Sequence, residues 1–389
     1  MTLGDALQRT KDTEAGRQII EKLAAELERR GITADEVGRL SRISMWQGLT
    51  KNEEGEAEIH DLYGFQLSPS WDSGPAWPVV QPSPPVRLPA RKVASVAAGW
   101  DVTVILPDMQ IGYYRGPDGN LEPTHDELAL DIALQIIRDA KPSRIVMVGD
   151  NLDLPELGKY RHSPAFAMTT QATIDRGGLM AAQVRAAAPQ AAEIVWLAGN
   201  HEERLPNYIL DNAKASFGIK QAMEPDGWPV LSVPHLCRLD DYGVTYRPGY
   251  PAADYWITEK LRVIHGDRVQ SRGSTAHKYL SDEKTSVIYG HIHRIERAHK
   301  TRTDWDGPRE IMAASPGCLA RIDGAVPSTK GGMDLDGRPI IGIHEDWQQG
   351  VGVVLSSPET GDFDYEQIRI FAGRGMWRGK IYEAGPAGA

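Results

Sequence analysis

Five short apolar runs in this chain end in carboxylate, amide or imidazole groups. VTVIL leads to Asp108 and Gln110, and RIVMV to Gly149, Asp150 and Asp153. IVWLA leads to Gly199, Asn200, His201 and Glu202. LRVI leads to His265, Gly266 and Asp267, and SVIY to Gly290, His291 and His293. In an open α/β sheet the carboxyl ends of the strands line the ligand crevice. Asp108, Asp150 and Asp153, with one Asn, one Gln and four His, therefore converge on one place. Carboxylate, imidazole and amide oxygen together suit divalent ions such as Mn²⁺, Fe²⁺ and Zn²⁺. The donors are too many for one tetrahedral ion and enough for two. Two ions about 3.5–4 Å apart share a carboxylate and clamp a phosphate during in-line displacement. The glycines before Asp150, Asn200 and His291 permit tight turns and close approach of backbone to an anion.

Taken singly, each group has a plainer explanation. An Asp after a strand is usually a turn or cap residue. Two His at i and i+2 on extended chain merely share a face. Recurrence at five strand ends in succession is what the plain explanations leave unaccounted for. Arg161 and His162, in KYRHS, offer phosphate contacts or are solvated loop residues.

The elements that must position these groups are legible from about Trp100 onward. Val102–Leu106, Arg144–Val148 and Ile194–Ala198 read as strands, and ELALDIALQIIRDA (127–140), Met168–Ala188 and Glu203–Ser216 as helices. Thr124 with Glu127 reads as the capping box of the first helix. This alternation implies a parallel core with helices on its faces. Later strand-like runs (Leu261–Ile264, Ser286–Tyr289, Ile311–Ala314, Val351–Leu355, Gln367–Phe371) have few helices between them, so a second sheet packs on the first. Arg321–Gly342 reads as a surface loop, and the tail, 376–389, as frayed.

Upstream lie two further regions. Residues 1–67 read as a small helical N-terminal module. Ile19, Ile20, Leu23 and Leu27 fall at helical spacing, and Thr33 with Glu36 opens a second helix over Val37 and Leu40. Nine Lys/Arg against thirteen Asp/Glu up to Leu67 argue against a DNA-binding helix–turn–helix and for a docking module with a protein partner. Residues 68–98 form a Pro-rich linker holding seven of the 26 prolines, and the catalytic-type domain spans 99–375.

With 389 residues, 41% hydrophobic and 25% charged, the chain has material for a self-sufficient core. A net charge of −10 excludes a basic nucleic-acid wrapper as a description of the whole chain. Two cysteines, Cys237 and Cys318, exclude a disulfide framework and fit a reducing, cytoplasmic setting. Met1–Asp12 has no apolar core of a signal peptide, and no run approaches about 20 apolar residues, so no membrane span is expected.

On these motifs the chain resembles the calcineurin-like metallophosphoesterases, including stand-alone phosphoesterases of bacteriophages and the Mre11/SbcD branch. The family's D-x-H, G-D-x-x-D, G-N-H-[DE], strand-end His and G-H-x-H are matched by PDMQ (107–110), GDNLD (149–153), GNHE (199–202), IHGD (264–267) and GHIH (290–293). The resemblance covers roughly Trp100 to Phe371. It implies a four-layer αββα sandwich with two mixed sheets. It also implies two divalent metal ions, Mn²⁺ first, with Fe²⁺, Zn²⁺ or Mg²⁺ as alternatives. Asp108 and His293 then ligate the first metal, Asp150 bridges, and Asn200, His265 and His291 ligate the second. His201 assists the leaving group or the phosphoryl oxygens, and Asp153 orients it. A metal-bridging hydroxide attacks phosphorus without a covalent enzyme intermediate. Gln110 stands where the family has His; as a neutral amide ligand it weakens the first site and favours Mn²⁺ or Mg²⁺. The implied substrate is a phosphodiester, in DNA or RNA, with cyclic or small nucleotides as the alternative. A catalytically weak scaffold or binding subunit of the same fold is the alternative of another class.

Overall fold

The computed structural model describes residues 14–31, 40–51, 55–67, 99–159, 163–271, 273–305, 307–327 and 332–385. They divide into two units, Met1–Val79 and Val80–Ala389.

In the first unit, α1 (Glu14–Arg29) buries Leu23 and Leu27, the stripe expected from their spacing. The second helix expected over Val37 and Leu40 does not extend through Leu40, which is in a strand. Thr33, Glu36 and Val37 lie outside the described residues, and from Leu40 onward the chain is a hairpin. Strands β1 (Leu40–Lys51) and β2 (Ala57–Leu67) pair antiparallel from Leu40↔Leu67 to Lys51↔Ala57. The reason is compositional. Ile43, Trp46, Ile59, Tyr63 and Phe65 are β-branched or aromatic residues that suit a pleated surface. The module is thus one helix and one hairpin among its described residues, not a helical module.

The second unit opens with β3 (Asp101–Leu106) and a two-stranded ribbon, β4 (Tyr113–Arg115) with β5 (Leu121–Pro123). Then come α2 (Glu127–Ala140), β6 (Arg144–Met147), α3 (Thr170–Ala187), β7 (Glu193–Leu197), α4 (Arg204–Asn212), the single turn α5 (Val233–Leu236) and β8 (Val244–Arg247). After these lie β9 (Asp254–Thr258), β10 (Leu261–Ile264), α6 (Thr275–Asp282), β11 (Ser286–Tyr289), β12 (Ile295–Asp304) and β13 (Gly307–Pro316). The unit closes with β14 (Gln349–Ser356), β15 (Phe363–Phe371), β16 (Arg374–Trp377) and β17 (Lys380–Glu383).

Two mixed sheets result. The larger runs β17-β16-β15-β14-β3-β6-β7-β8, with β3, β6, β7 and β8 parallel. The smaller runs β12-β13-β11-β10-β9, with β10, β11 and β13 parallel. Ile105, Val146, Val195 and Leu197 of the larger sheet pack on Leu261, Val263, Ile288 and Met312 of the smaller, which makes an α/β sandwich. The other face of the larger sheet packs on Ile132, Ile136 and Ile137 of α2 and Met180 and Val184 of α3. Ala276, Tyr279 and Leu280 of α6 cover the smaller sheet.

Three local expectations need correction. The cap of α2 is Asp126, whose carboxylate accepts from Leu128 N and Ala129 N, because the Thr124 hydroxyl is already donated to Gln110 O (3.0 Å). Ala325 and Val326, within the expected surface loop, are fully buried. The tail is not frayed over Lys380–Glu383: that strand pairs with β16, and buried Tyr382 donates to Asp139 at 2.9 Å.

Candidate metal centre

The five polar strand ends meet where the carboxyl ends of β3, β6 and β7 face those of β10 and β11 across the sandwich. Backbone bonds splice the loops together. Gln110 N donates to Asp150 O (2.9 Å) and Gly290 N to His265 O (2.9 Å). Asp108, Gln110, Asp150, His291 and His293 have positive φ, and they make up five of the twelve such non-glycine residues described. Each costs about 1–3 kcal/mol, and such strain concentrates at functional sites. Two glycines are required by close approach. A Cβ on Gly199 would collide with Asp150, and one on Gly290 with the Asp108 carboxylate.

The side chains form two triads whose donor atoms all lie within 4.8 Å of one another. One is Asp108, Asp150 and His293; the other is Asp150, His265 and His291. Asp150 belongs to both. In the first triad His293 Nε2 lies 3.3 Å from Asp108 Oδ1. Gln110 joins it, with its amide nitrogen 3.3 Å from Asp150 Oδ2 and 3.4 Å from His293 Nε2. A half-turn of that amide presents the carbonyl oxygen instead. Asn200 joins the second triad, its Oδ1 3.2 Å from His265 Nε2. All nine residues singled out in the sequence are therefore brought together, the seven ligand candidates and the His201–Asp153 pair. Arg161 and His162 lie outside the described residues.

The donor set fits cations on its own terms. Asp108 Oδ2, Gln110 Oε1 and Nδ1 of both His291 and His293 are buried without a hydrogen-bond partner among the described residues. His265 shows the same need. Its Nδ1 donates to Val148 O (3.0 Å), while Nε2 faces two acceptors, Asn200 Oδ1 and, at 3.3 Å, Asp150 Oδ2. Only a second proton or a cation reconciles that geometry. Burial pushes the imidazole down, but Asp150, then Asp108 and Glu202, carry it up to about 9. Burial and the neighbouring His265 push His291 down to about 4.

A proton on His265 thus stands in for a cation, and this has a measurable consequence. Loading metal-free protein with Mn²⁺ at pH 7.5 is expected to release about one proton from this imidazole, read by indicator dye or calorimetry in buffers of different ionisation heat. Its pKa stands above the ordinary value of about 6.5, so the charged form stabilises the metal-free fold fully below that pH. That stabilisation is lost as pH rises through about 9. Melting temperatures should fall across this window without metal and flatten with it. Metal uptake without proton release would show that His265 is not a ligand.

Beside the triads, His201 Nδ1 lies 2.9 Å from Asp153 Oδ1, and its Nε2 points toward Asp150 Oδ2 at 3.6 Å. Burial lowers its pKa, and Asp150 and Asp153 raise it by more. Two residues around the centre, Arg204 and Glu202, were not foreseen in their structural roles. Arg204 Nη2 lies 2.9 Å from His201 Nε2, and Nη1 donates to Asp153 O and Oδ1. Glu202, quoted in the third motif without a role, is 1% exposed and accepts five N–H bonds: from Asp150, Asn151, Leu152, Gly199 and the Trp196 indole. Its place beside Asn200 and His201 was the only sequence signal.

No protein-family model matches the chain. The chain is 27% identical over 184 residues to the Gene 54 protein of Mycobacterium phage D29, a stretch covering 44% of this chain and 65% of that protein. The chain therefore spans just under two thirds of this relative's length. Among the described residues, no helix is long and apolar enough to cross a membrane.

Proposed function

We propose that the protein is a phosphoesterase dependent on two divalent metal ions that hydrolyses phosphodiester bonds, foremost in nucleic acid. The observation that carries this reading is the shared carboxylate: Asp150 belongs to both buried Asp/His triads. Asp108, Gln110 and His293 would hold one ion, and Asn200, His265 and His291 the other. The two sheets with helices on their outer faces are consistent with the αββα sandwich of the calcineurin-like family. When bound, such ions supply a water of lowered pKa and positive charge for the phosphoryl oxygens, and Mn²⁺ suits the oxygen-rich first set. Asp153, 2.9 Å from Nδ1, would orient His201 so that Nε2, on the Asp150 side, could act on the phosphoryl group or its leaving oxygen. The chain's net charge of −10 favours a second reading, a cyclic or small-nucleotide diester.

The test is a substrate panel with Mn²⁺-loaded protein: single-stranded and duplex DNA, RNA, cyclic nucleotides, a phosphomonoester and bis-p-nitrophenyl phosphate. Hydrolysis of the last, abolished by chelator and restored by Mn²⁺, is expected, with the preferred natural diester set by the panel. Protein that holds two Mn²⁺ and cleaves nothing would instead be a scaffold of the same architecture.

A further inference from the structure

We infer that Arg204 is a catalytic residue whose guanidinium binds the oxygens of the phosphoryl group under attack, an inference that rests on the phosphoesterase reading. Three observations carry it. Arg204 is the first residue of α4, three positions after His201, so the helix carries it back over the same strand end. Its Nη2 touches the nitrogen of His201 that faces the shared carboxylate of Asp150. The guanidinium therefore flanks the place where a phosphate held over Asp150 would lie.

The third observation is a hydrogen count. A guanidinium has five N–H donors. Both hydrogens of Nη1 go to Asp153, to its carbonyl and to Oδ1 at 3.2 Å, and one of Nη2 goes to His201. The Nε hydrogen and the second on Nη2 have no partner among the described residues, although the side chain is only 18% exposed. Asp153 thus fixes one edge of the fork and leaves the other free. A planar fork with two spare donors matches two oxygens of a phosphoryl group.

The chemistry assigns Arg204 charge and hydrogen bonds, not a proton. In hydrolysis the water oxygen forms a new bond to phosphorus. The bond to the leaving oxygen breaks with its electron pair, and one proton of the water ends on that oxygen. Arginine stays protonated throughout. Its contribution is two charge-assisted bonds that strengthen as negative charge builds on the phosphoryl oxygens.

Full-length protein loaded with Mn²⁺ tests this through product binding as well as turnover. Arg204→Ala should weaken binding of inorganic phosphate, measured by calorimetry, by about 10- to 100-fold, the scale of lost charge-assisted bonds. Manganese content should stay close to wild type, while melting temperature falls by a few degrees because Asp153 loses two donors. Turnover of bis-p-nitrophenyl phosphate should fall by about 100-fold or more, and guanidinium chloride at tens of millimolar should restore part of it in the variant alone. Phosphate affinity within twofold of wild type would overturn the inference, and so would a loss of turnover that guanidinium does not relieve. If Arg204→Ala does not fold, Arg204→Lys decides. A single ammonium in place of the fork should bind phosphate several-fold more weakly, and unchanged affinity would overturn the assignment. Should wild-type protein hydrolyse nothing, the phosphoesterase reading fails by itself. Should it hydrolyse while the variants bind phosphate normally, only the role of Arg204 fails.

Discussion

If the protein is the two-metal phosphoesterase proposed above, Asp150→Asn is expected to abolish turnover, by about 10³-fold or more, and to lower metal content at both positions, since one carboxylate would then serve two ions. Asn is nearly isosteric, so the effect comes from charge and acceptor count. Oδ1 accepts the backbone N–H of His201 at 2.9 Å, and Oδ2 lies 3.3 Å from both Gln110 Nε2 and His265 Nε2. An amide supplies one acceptor for these two edges. If its oxygen keeps the His201 N–H, its NH₂ faces the ions. If its oxygen faces the ions, the NH₂ opposes the His201 N–H and the loop shifts. Asp108 belongs to the first triad only, so Asp108→Asn is the matched control and should lose one ion per chain. Elemental analysis after dialysis separates the cases. Two ions retained by Asp150→Asn, or one lost from each variant, would show that Asp150 does not bridge.

The same geometry explains which parts of the site were legible in the sequence. The candidate ligand positions follow each strand within a few residues, and a change from apolar to polar composition marks a strand end whatever the tertiary context. Asp108, Asp150, Asn200, His265 and His291 could therefore be placed from local sequence, and long-range packing had only to bring the strand ends together. Arg204 and Glu202 were not legible as functional groups. Nothing about a Glu in the turn before a helix, or an Arg at its first position, distinguishes a solvated residue from one turned back onto a neighbouring loop. The α2 cap was misassigned for a related reason. Thr124 and Asp126 both suit an N-terminus, and the choice was made by Gln110 O, fourteen residues upstream, which takes the Thr124 hydroxyl. The hairpin over 40–67 was missed because a capping signal at Thr33 was extended into a stretch whose β-branched and aromatic residues favour pleated structure. The terminal strand was missed because four residues at a chain end carry little periodicity. Their order comes from the hairpin with β16 and from the Tyr382–Asp139 bond, and only the first of these lies within a local window.

Glu202 gives the second large effect, and here it falls on stability. Its carboxylate is the common acceptor for two loops. Oε2 takes Asp150 N (2.9 Å) and Gly199 N (2.8 Å), and Oε1 takes Asn151 N (2.8 Å), Leu152 N (3.2 Å) and the Trp196 indole (3.3 Å). Four of those donors are backbone of the very turns that carry Asp150 and Asn200, and the fifth is the indole of Trp196 on β7, so the glutamate ties β6 and β7 together behind the centre. Glu202→Ala leaves five buried N–H groups without an acceptor and should cost about 3–5 kcal/mol or prevent folding, the scale of a buried charge network deprived of one partner. Glu202→Gln is the sharper variant. It keeps the volume, but its NH₂ must oppose either the Asp150 and Gly199 donors or the Asn151, Leu152 and Trp196 donors. Its cost should be about 2–3 kcal/mol, a fall of roughly 3–5 °C in melting temperature for a domain of this size. The measurement belongs on metal-free protein, where ligand binding does not add to stability. With metal restored, both ions should bind more weakly than in wild type, because the displaced turns carry the shared carboxylate and the amide of Asn200. A surface glutamate changed to Gln moves neither quantity. If Glu202→Gln melts like wild type and binds two ions as tightly, the five contacts are incidental, and the two turns are held by the sheet alone.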